Sequence, residues 1–137
     1  MQYFLVKSEP FKYSWDQFEQ DGSTFWDGVR NYQARNALMS MKKGDKVLYY
    51  HSNEGLEIVG IAKVIKEYYP DPTTDDERWC VVDLKIYKRL KYPVSLAQIK
   101  KDSLLNTMPL VKQSRLSVMS ISEDHFHRVI ELSNSKI

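Results

Sequence analysis

The run KVLYYHSNEGLEIVGIAKVIKEYYP, residues 46–70, decides the fold. β-branched and aromatic residues dominate it, so Lys46 to His51 reads as one strand and Glu57 to Tyr68 as a second, broken at Gly60. Upstream, Tyr3 to Lys7 is a further strand that ends in a Lys-Ser-Glu-Pro turn. Pro10 there has no N–H to give a ladder, and it disfavours helix at Glu9. Ser14-Trp15-Asp16-Gln17 fits a capping box, which predicts a short helix to about Gln20, stopped by Asp21-Gly22. Asn31 is placed to cap a second helix. Ala34, Ala37, Leu38 and Met41 then recur at i, i+3, i+4 and i+7 on one apolar face, and Gly44 ends the run.

Downstream of residue 70 the pattern is mostly strands with helices between them. Trp79–Tyr87 alternates as a strand, and a weaker one lies around Arg115–Met119. Ser95-Leu96-Ala97-Gln98 is a second capping box, for a helix through about Lys101. Ser122 caps the last helix, in which Phe126, Val129 and Ile130 share a face. The polar, Pro-containing segment Asp71-Pro72-Thr73-Thr74-Asp75-Asp76 reads as a mobile flap. Regular β-α-β alternation is missing, which argues against a doubly wound sheet. The expectation is an α+β protein: five or more strands in a small, curved or barrel-like sheet, with helices over its ends, as one domain over 1–137.

Composition narrows the function classes. The chain has 137 residues, room for one core and not two. With 42% hydrophobic and 28% charged residues it is globular rather than disordered. A formal net charge of +2 is too mild to mark a nucleic-acid binder by itself. The single cysteine, Cys80, excludes an intrachain disulfide and a Cys-based zinc site. It falls in the alternation Cys80, Val82, Leu84, Ile86 and reads as a buried, inert thiol. No charged segment leads into a long apolar run, and no uncharged apolar stretch nears the roughly 18–20 residues of a membrane span. The protein is therefore expected to be soluble and intracellular, with no membrane partner.

Signals for catalysis are thin. His125 and His127 stand two apart on a helix, point in different directions and cannot share a metal; both are expected to be solvated. His51 lies at a strand end beside Ser52. No HExxH, Walker or dinucleotide-binding pattern occurs, so no metal and no cofactor is expected. The acidic runs Asp75-Asp76-Glu77 and Glu123-Asp124 fall at a loop and a helix start, where they serve solvation or the helix dipole.

Two other features carry chemistry. Lys85-Ile86-Tyr87-Lys88-Arg89-Leu90-Lys91-Tyr92 interleaves cations with tyrosines, which suits phosphates and stacked bases. Lysines that protect a strand edge read equally well. In FWDGVRNYQARNAL, residues 25–38, Trp26 stands among Asp27, Gly28, Arg30 and Asn31 instead of aliphatic neighbours. It is either a core residue at a helix start or the wall of a ligand cavity.

Five ordered blocks, YFLVKSEP, WDGVRNYQARN, MKKGDKVLYYHSN, GIAKVIKEYYPDPT and QSRLSV, resemble those of EVE domains in the PUA-like superfamily. The resemblance covers nearly the whole chain. The Asp71–Glu77 connection is shorter than in the animal relatives. The resemblance implies a PUA-like pseudo-barrel of about five or six strands with surrounding short helices, similar in fold to YTH domains. It implies non-catalytic binding of DNA or RNA, with a modified base, methylated or hydroxymethylated, held in an aromatic-lined pocket. Trp26 then corresponds to the aromatic that begins the cage, beside Lys7-Ser8-Glu9, with Ser52 and Asn53 on a neighbouring strand end. Asp27, Arg30 and Asn31 complete the expected ligand set. Glu9 suits an exocyclic amine such as N4 of cytosine. Arg35, Lys85, Lys88, Arg89 and Lys91 are the candidates for phosphates, along with Arg30. Localisation follows the host: cytoplasmic in a bacterium, nuclear in a eukaryote. Two alternatives stand beside this reading. One is an enzyme like the ASCH members of the superfamily, hydrolysing RNA or a modified nucleoside with His51, Glu9 or Lys7 as acid or base. The other is a general RNA-binding module that uses only the basic strand.

Overall fold

In a computed structural model that describes residues 1–136, the 46–70 run forms β3 (Lys46–His51) and β4 (Glu57–Pro70), paired antiparallel. Four more strands join them: β1 (Tyr3–Ser8), β2 (Ser23–Phe25), β5 (Cys80–Ser95) and β6 (Val118–Ile121). The order across the sheet is β2-β5-β4-β3-β1-β6. Only β1 and β3 run parallel; the other neighbours are antiparallel. Around this mixed, open sheet lie α1 (Trp15–Asp21), α2 (Tyr32–Ser40), α3 (Leu96–Lys101), α4 (Pro109–Lys112) and α5 (Glu123–Ser133). The class is α+β.

Helix starts follow the capping chemistry. The side chains of Ser14, Asn31, Ser95 and Ser122 each accept from a backbone N–H in the first turn. At Ser95 the box is complete, because Gln98 returns a bond to the Ser95 N–H at 2.9 Å. At Ser14 only half of it forms, since the Gln17 amide is drawn to Asp21 at 3.0 Å instead. Helix α2 stops at Met41, before Gly44, whose φ of 98° serves the turn into β3.

Sheet curvature brings distant strands together. Trp26 directly follows edge strand β2, yet its ring meets Tyr49 of β3 edge-to-face at 5.5 Å between centroids. A flat sheet would hold these strands three spacings, about 14 Å, apart. Register shifts between β3 and β4 and along β4–β5 allow the curl, as an extra residue on one strand bends it. One shift lies beside Gly60, so β4 bulges there and does not break. Glycine is required at this point because a Cβ would lie 2.3 Å from the Trp15 ring.

Three further expectations give way. Strand β5 runs to Ser95 and does not end at Tyr87. Leu90 and Val94 keep its inner face buried, while Pro93 falls beyond the short stretch, residues 83–85, that β2 covers. The 71–76 segment is anchored rather than free. The Asp71 carboxylate is buried, bonded to Arg30 at 2.9 Å and to the amide and hydroxyl of Thr73. At the loop's far end Trp79 packs on Tyr32, with Arg30 and Arg78 beside its ring. His125 is half-buried, its Nε2 3.0 Å from the Thr107 hydroxyl, so it is not simply solvated. Cys80 is buried and free, and burial raises its thiol pKa. Among the described residues no helix is long and apolar enough to cross a membrane.

His51 acts as a structural acceptor. The Trp15 backbone N–H donates to its Nε2 at 3.1 Å, which requires an unprotonated nitrogen there. Burial lowers the His51 pKa more than the nearby Glu57 and Asp16 raise it. The unfolded chain therefore binds this proton first, and stability falls as pH drops below the ordinary histidine value of about 6.5. Urea unfolding from pH 7.5 to 5 is expected to show that loss, and His51→Gln is expected to flatten it. An unchanged profile in the variant would contradict the assignment.

Candidate functional site

Parallel strands β1 and β3 end at the same side of the sheet, and their chains then diverge. The β1 end turns through Glu9 to Tyr13, with the N–H groups of Lys12 and Tyr13 both donating to the Glu9 carbonyl. The β3 end turns through Ser52 to Leu56, with Asn53 and Leu56 at positive φ. Divergence at the carboxyl ends of parallel neighbours leaves room for a ligand. A cleft of about 830 Å³ opens there.

Seven of the nine ligand residues expected from sequence line it: Lys7, Ser8, Glu9, Trp26, Asp27, Ser52 and Asn53. Lys7 lies beside Tyr50 in the β1–β3 register and donates to the Ser114 carbonyl at 2.8 Å. Burial holds its ammonium below the ordinary lysine pKa. The Ser8 hydroxyl donates to the Tyr13 carbonyl at 2.8 Å, which leaves its oxygen free to accept. Glu9 is braced from both sides, by the Asn53 amide at 2.6 Å and by Lys12 at 3.4 Å. Two of the roughly four lone-pair sites on its carboxylate stay open.

Trp26 is packed into the core and also stands along the cleft. It is only 8% exposed, with edge-to-face contacts to Tyr49 and Tyr13, and it still lines the cleft. Tyr49 holds that packing in place by donating to the Tyr13 carbonyl at 2.6 Å. Gly28 permits the turn after it with φ of 77°, and Asn31 then starts α2.

The other two expected residues face elsewhere. Arg30 is spent on Asp71 and on its neighbour's carbonyl. The Asn31 carbonyl oxygen caps α2 through the Ala34 N–H at 3.0 Å. None of the five expected phosphate contacts lines the cleft either. Arg89 is bound to Asp16 and Glu19, Lys88 donates to the Lys136 carbonyl, and Arg35 stacks on Tyr32. Lys85 and Lys91 are exposed on β5. His51 is also outside the cleft.

Sequence reasoning passed over several of the walls. Tyr50, Val29, Leu56, Leu96 and Leu110 supply apolar surface, and Lys12 and Arg115 supply charge. The apolar positions look like ordinary strand or helix residues until tertiary folding joins them. The QSRLSV block, which contains Ser114, Arg115 and Ser117, was the available signal for the last wall.

A family model described as the EVE domain matches residues 2–132. The chain belongs to the EVE-domain family. This EVE domain is 34% identical to thymocyte nuclear protein 1 of Gallus gallus, across 98% of this chain and 69% of that protein. A crystal structure of an Agrobacterium tumefaciens protein superposes with a TM-score of 0.95 at 43% identity, covering 97% of this chain and 93% of that one. Human THYN1 in complex with DNA containing 5-methylcytosine matches with a TM-score of 0.89 at 31% identity, covering all of both chains. A YTH domain from Zygosaccharomyces rouxii, at 14% identity and TM-score 0.63, shares the fold.

Proposed function

We propose that this EVE domain binds nucleic acid and reads a modified base, methylated or hydroxymethylated, swung out of the stack into the cleft. One observation carries the reading: Trp26, Tyr50 and the polar ends of β1 and β3 line a single cleft of small-ligand size. The human THYN1 complex with 5-methylcytosine DNA supports it from within the family. A base in a duplex hides its Watson–Crick edge, so it is flipped out or presented on a single strand. Trp26 offers the flat apolar face that a base stacks on. Glu9, braced by Asn53 and Lys12, accepts from an exocyclic amine, and Ser8, Ser52 and Lys7 take the remaining edge. Val29, Leu56, Leu96 and Leu110 form the apolar surface where a methyl group is buried.

Binding is favoured over hydrolysis by the state of His51. The acceptor nitrogen of His51 is occupied by the Trp15 N–H, away from the cleft. The basic stretch of β5 serves better as edge protection, with Arg89 neutralised by two carboxylates.

The test is a titration with matched oligonucleotides carrying cytosine, 5-methylcytosine, 5-hydroxymethylcytosine, adenine or N6-methyladenine, as DNA and as RNA. One modified base is expected to bind about 10-fold or more tightly than its unmodified parent, the lower range for burial of a single methyl group. Equal affinity across the set, with a steep salt dependence, would leave only the general binding module.

A further inference from the structure

Six arginines occur in the chain, and the partners of five are fixed within the protein. Arg30 pairs with Asp71, Arg78 with Asp76, Arg89 with Asp16 and Glu19, and Arg128 with Asp102 and Glu131. Arg35 stacks on Tyr32 and bonds Asn36. Arg115 alone has no hydrogen-bond, ion-pair or ring partner among the described residues. It is exposed and stands on the wall of the proposed base cleft.

Arg115 and Ser114 belong to two cavities at once. Beyond them lies a second cleft of about 380 Å³, formed by the start of α2 and the segment leading from α4 to β6. Its walls are Asn31, Gln33, Lys112, Gln113, Leu116 and the two shared residues. Lys112 also lacks a carboxylate partner among the described residues, and no acidic side chain lines this cleft. The base cleft differs, because Glu9 and Asp27 accompany its cations. An unneutralised cation pair beside amide side chains suits phosphodiester oxygens together with a base edge.

We infer that the second cleft takes the nucleotide next to the flipped one, so that the strand leaves the base cleft across Ser114 and Arg115. Arg115 holds the phosphate between the two nucleotides, and Lys112 the next one along. Gln33 and Gln113 face the neighbouring base, each presenting an amide donor and acceptor. The site recognises sugar-phosphate strand one nucleotide beyond the reader cavity, and it rests on the base-reading proposal above. It also relocates the phosphate contacts from β5 to the α4–β6 segment.

The experiment measures the affinity of the full chain for a 12-nucleotide single-stranded DNA carrying one central 5-methylcytosine, across 50–300 mM salt. The parent is compared with Arg115→Gln, Lys112→Gln and the double variant, and each is also titrated with the free nucleoside 5-methyl-2′-deoxycytidine. Both side chains are exposed, so unfolding midpoints should match the parent. Each single variant is expected to flatten the log–log salt slope by about 0.7, the signature of one lost phosphate contact on a single strand. Lys112→Gln should bind the nucleoside with parental affinity, because Lys112 lies outside the base cleft. Parental salt slopes in all variants would overturn the second cleft while leaving base reading intact. Flattened slopes in the variants, with a parent that binds the unmethylated 12-mer as tightly as the methylated one, would support the cleft and overturn base reading. A parent that binds none of these probes overturns both.

Discussion

Trp26→Ala is expected to weaken binding of the preferred modified oligonucleotide by roughly 5- to 150-fold, because base–aromatic stacking contributes about 1–3 kcal/mol. The same substitution empties a core position, since Trp26 is 8% exposed and packs on Tyr49 and Tyr13. Large-to-small aromatic changes in a core cost about 3–5 kcal/mol. The binding result is therefore read with a thermal unfolding curve, and beside Trp26→Phe, which keeps a ring and most of the packing. Trp26→Phe is expected to lie between the parent and the alanine variant in affinity at near-parental stability. A folded Trp26→Ala chain with parental affinity would remove Trp26 from the site.

Gly60→Ala is expected to be the most damaging one-carbon change in the chain. Its Cβ would meet three atoms of the Trp15 ring at 2.3–2.6 Å, where no real contact exists. Trp15 is 1% exposed and cannot swing away: its ring packs on Phe18 and Tyr49, and its backbone N–H is tied to His51. Overpacking of this kind costs about 1–3 kcal/mol and sometimes more. A drop of several degrees in the unfolding midpoint should follow. Binding should weaken as well, because Tyr49 is the ring that seats Trp26. A parental midpoint in Gly60→Ala would show that β4 can shift away from Trp15.

The same glycine shows how far local pattern carries. Sequence periodicity places an interruption at residue 60 but has no means of naming Trp15, 45 positions earlier, as its cause. Local signals were legible where the chemistry is local. Capping at Ser14, Asn31, Ser95 and Ser122 depends on residues within one turn, and β3 depends on its own β-branched and aromatic content. The short edge strand β2 has no such signal, since three residues pair only because β5 is there to receive them. The far half of β5 was blurred by its charges, which break the apolar alternation after Tyr87 and suit a strand edge or a phosphate-binding strip equally well.

Candidate site residues divide along the same line. Lys7, Ser8, Glu9, Ser52 and Asn53 are strand-end residues that the block resemblance located, and the sheet then brings them to one cleft. Arg30 lies in the same block as Trp26 and Asp27 but turns to Asp71, a buried carboxylate whose need for a partner is invisible before folding. The β5 cations attracted attention by density in sequence. Arg115 matters for the opposite reason, because folding leaves it without a partner.

The most direct measurement is an NMR titration of the labelled chain with an oligonucleotide carrying the preferred modified base. Amide shifts are expected to concentrate at Ser8, Glu9, Asp27, Ser52 and Asn53, with the Trp26 indole signal moving and residues 85–91 unchanged. Perturbations confined to 85–91 on β5, with the Trp26 indole unmoved, would contradict the reading of the cleft as a base pocket.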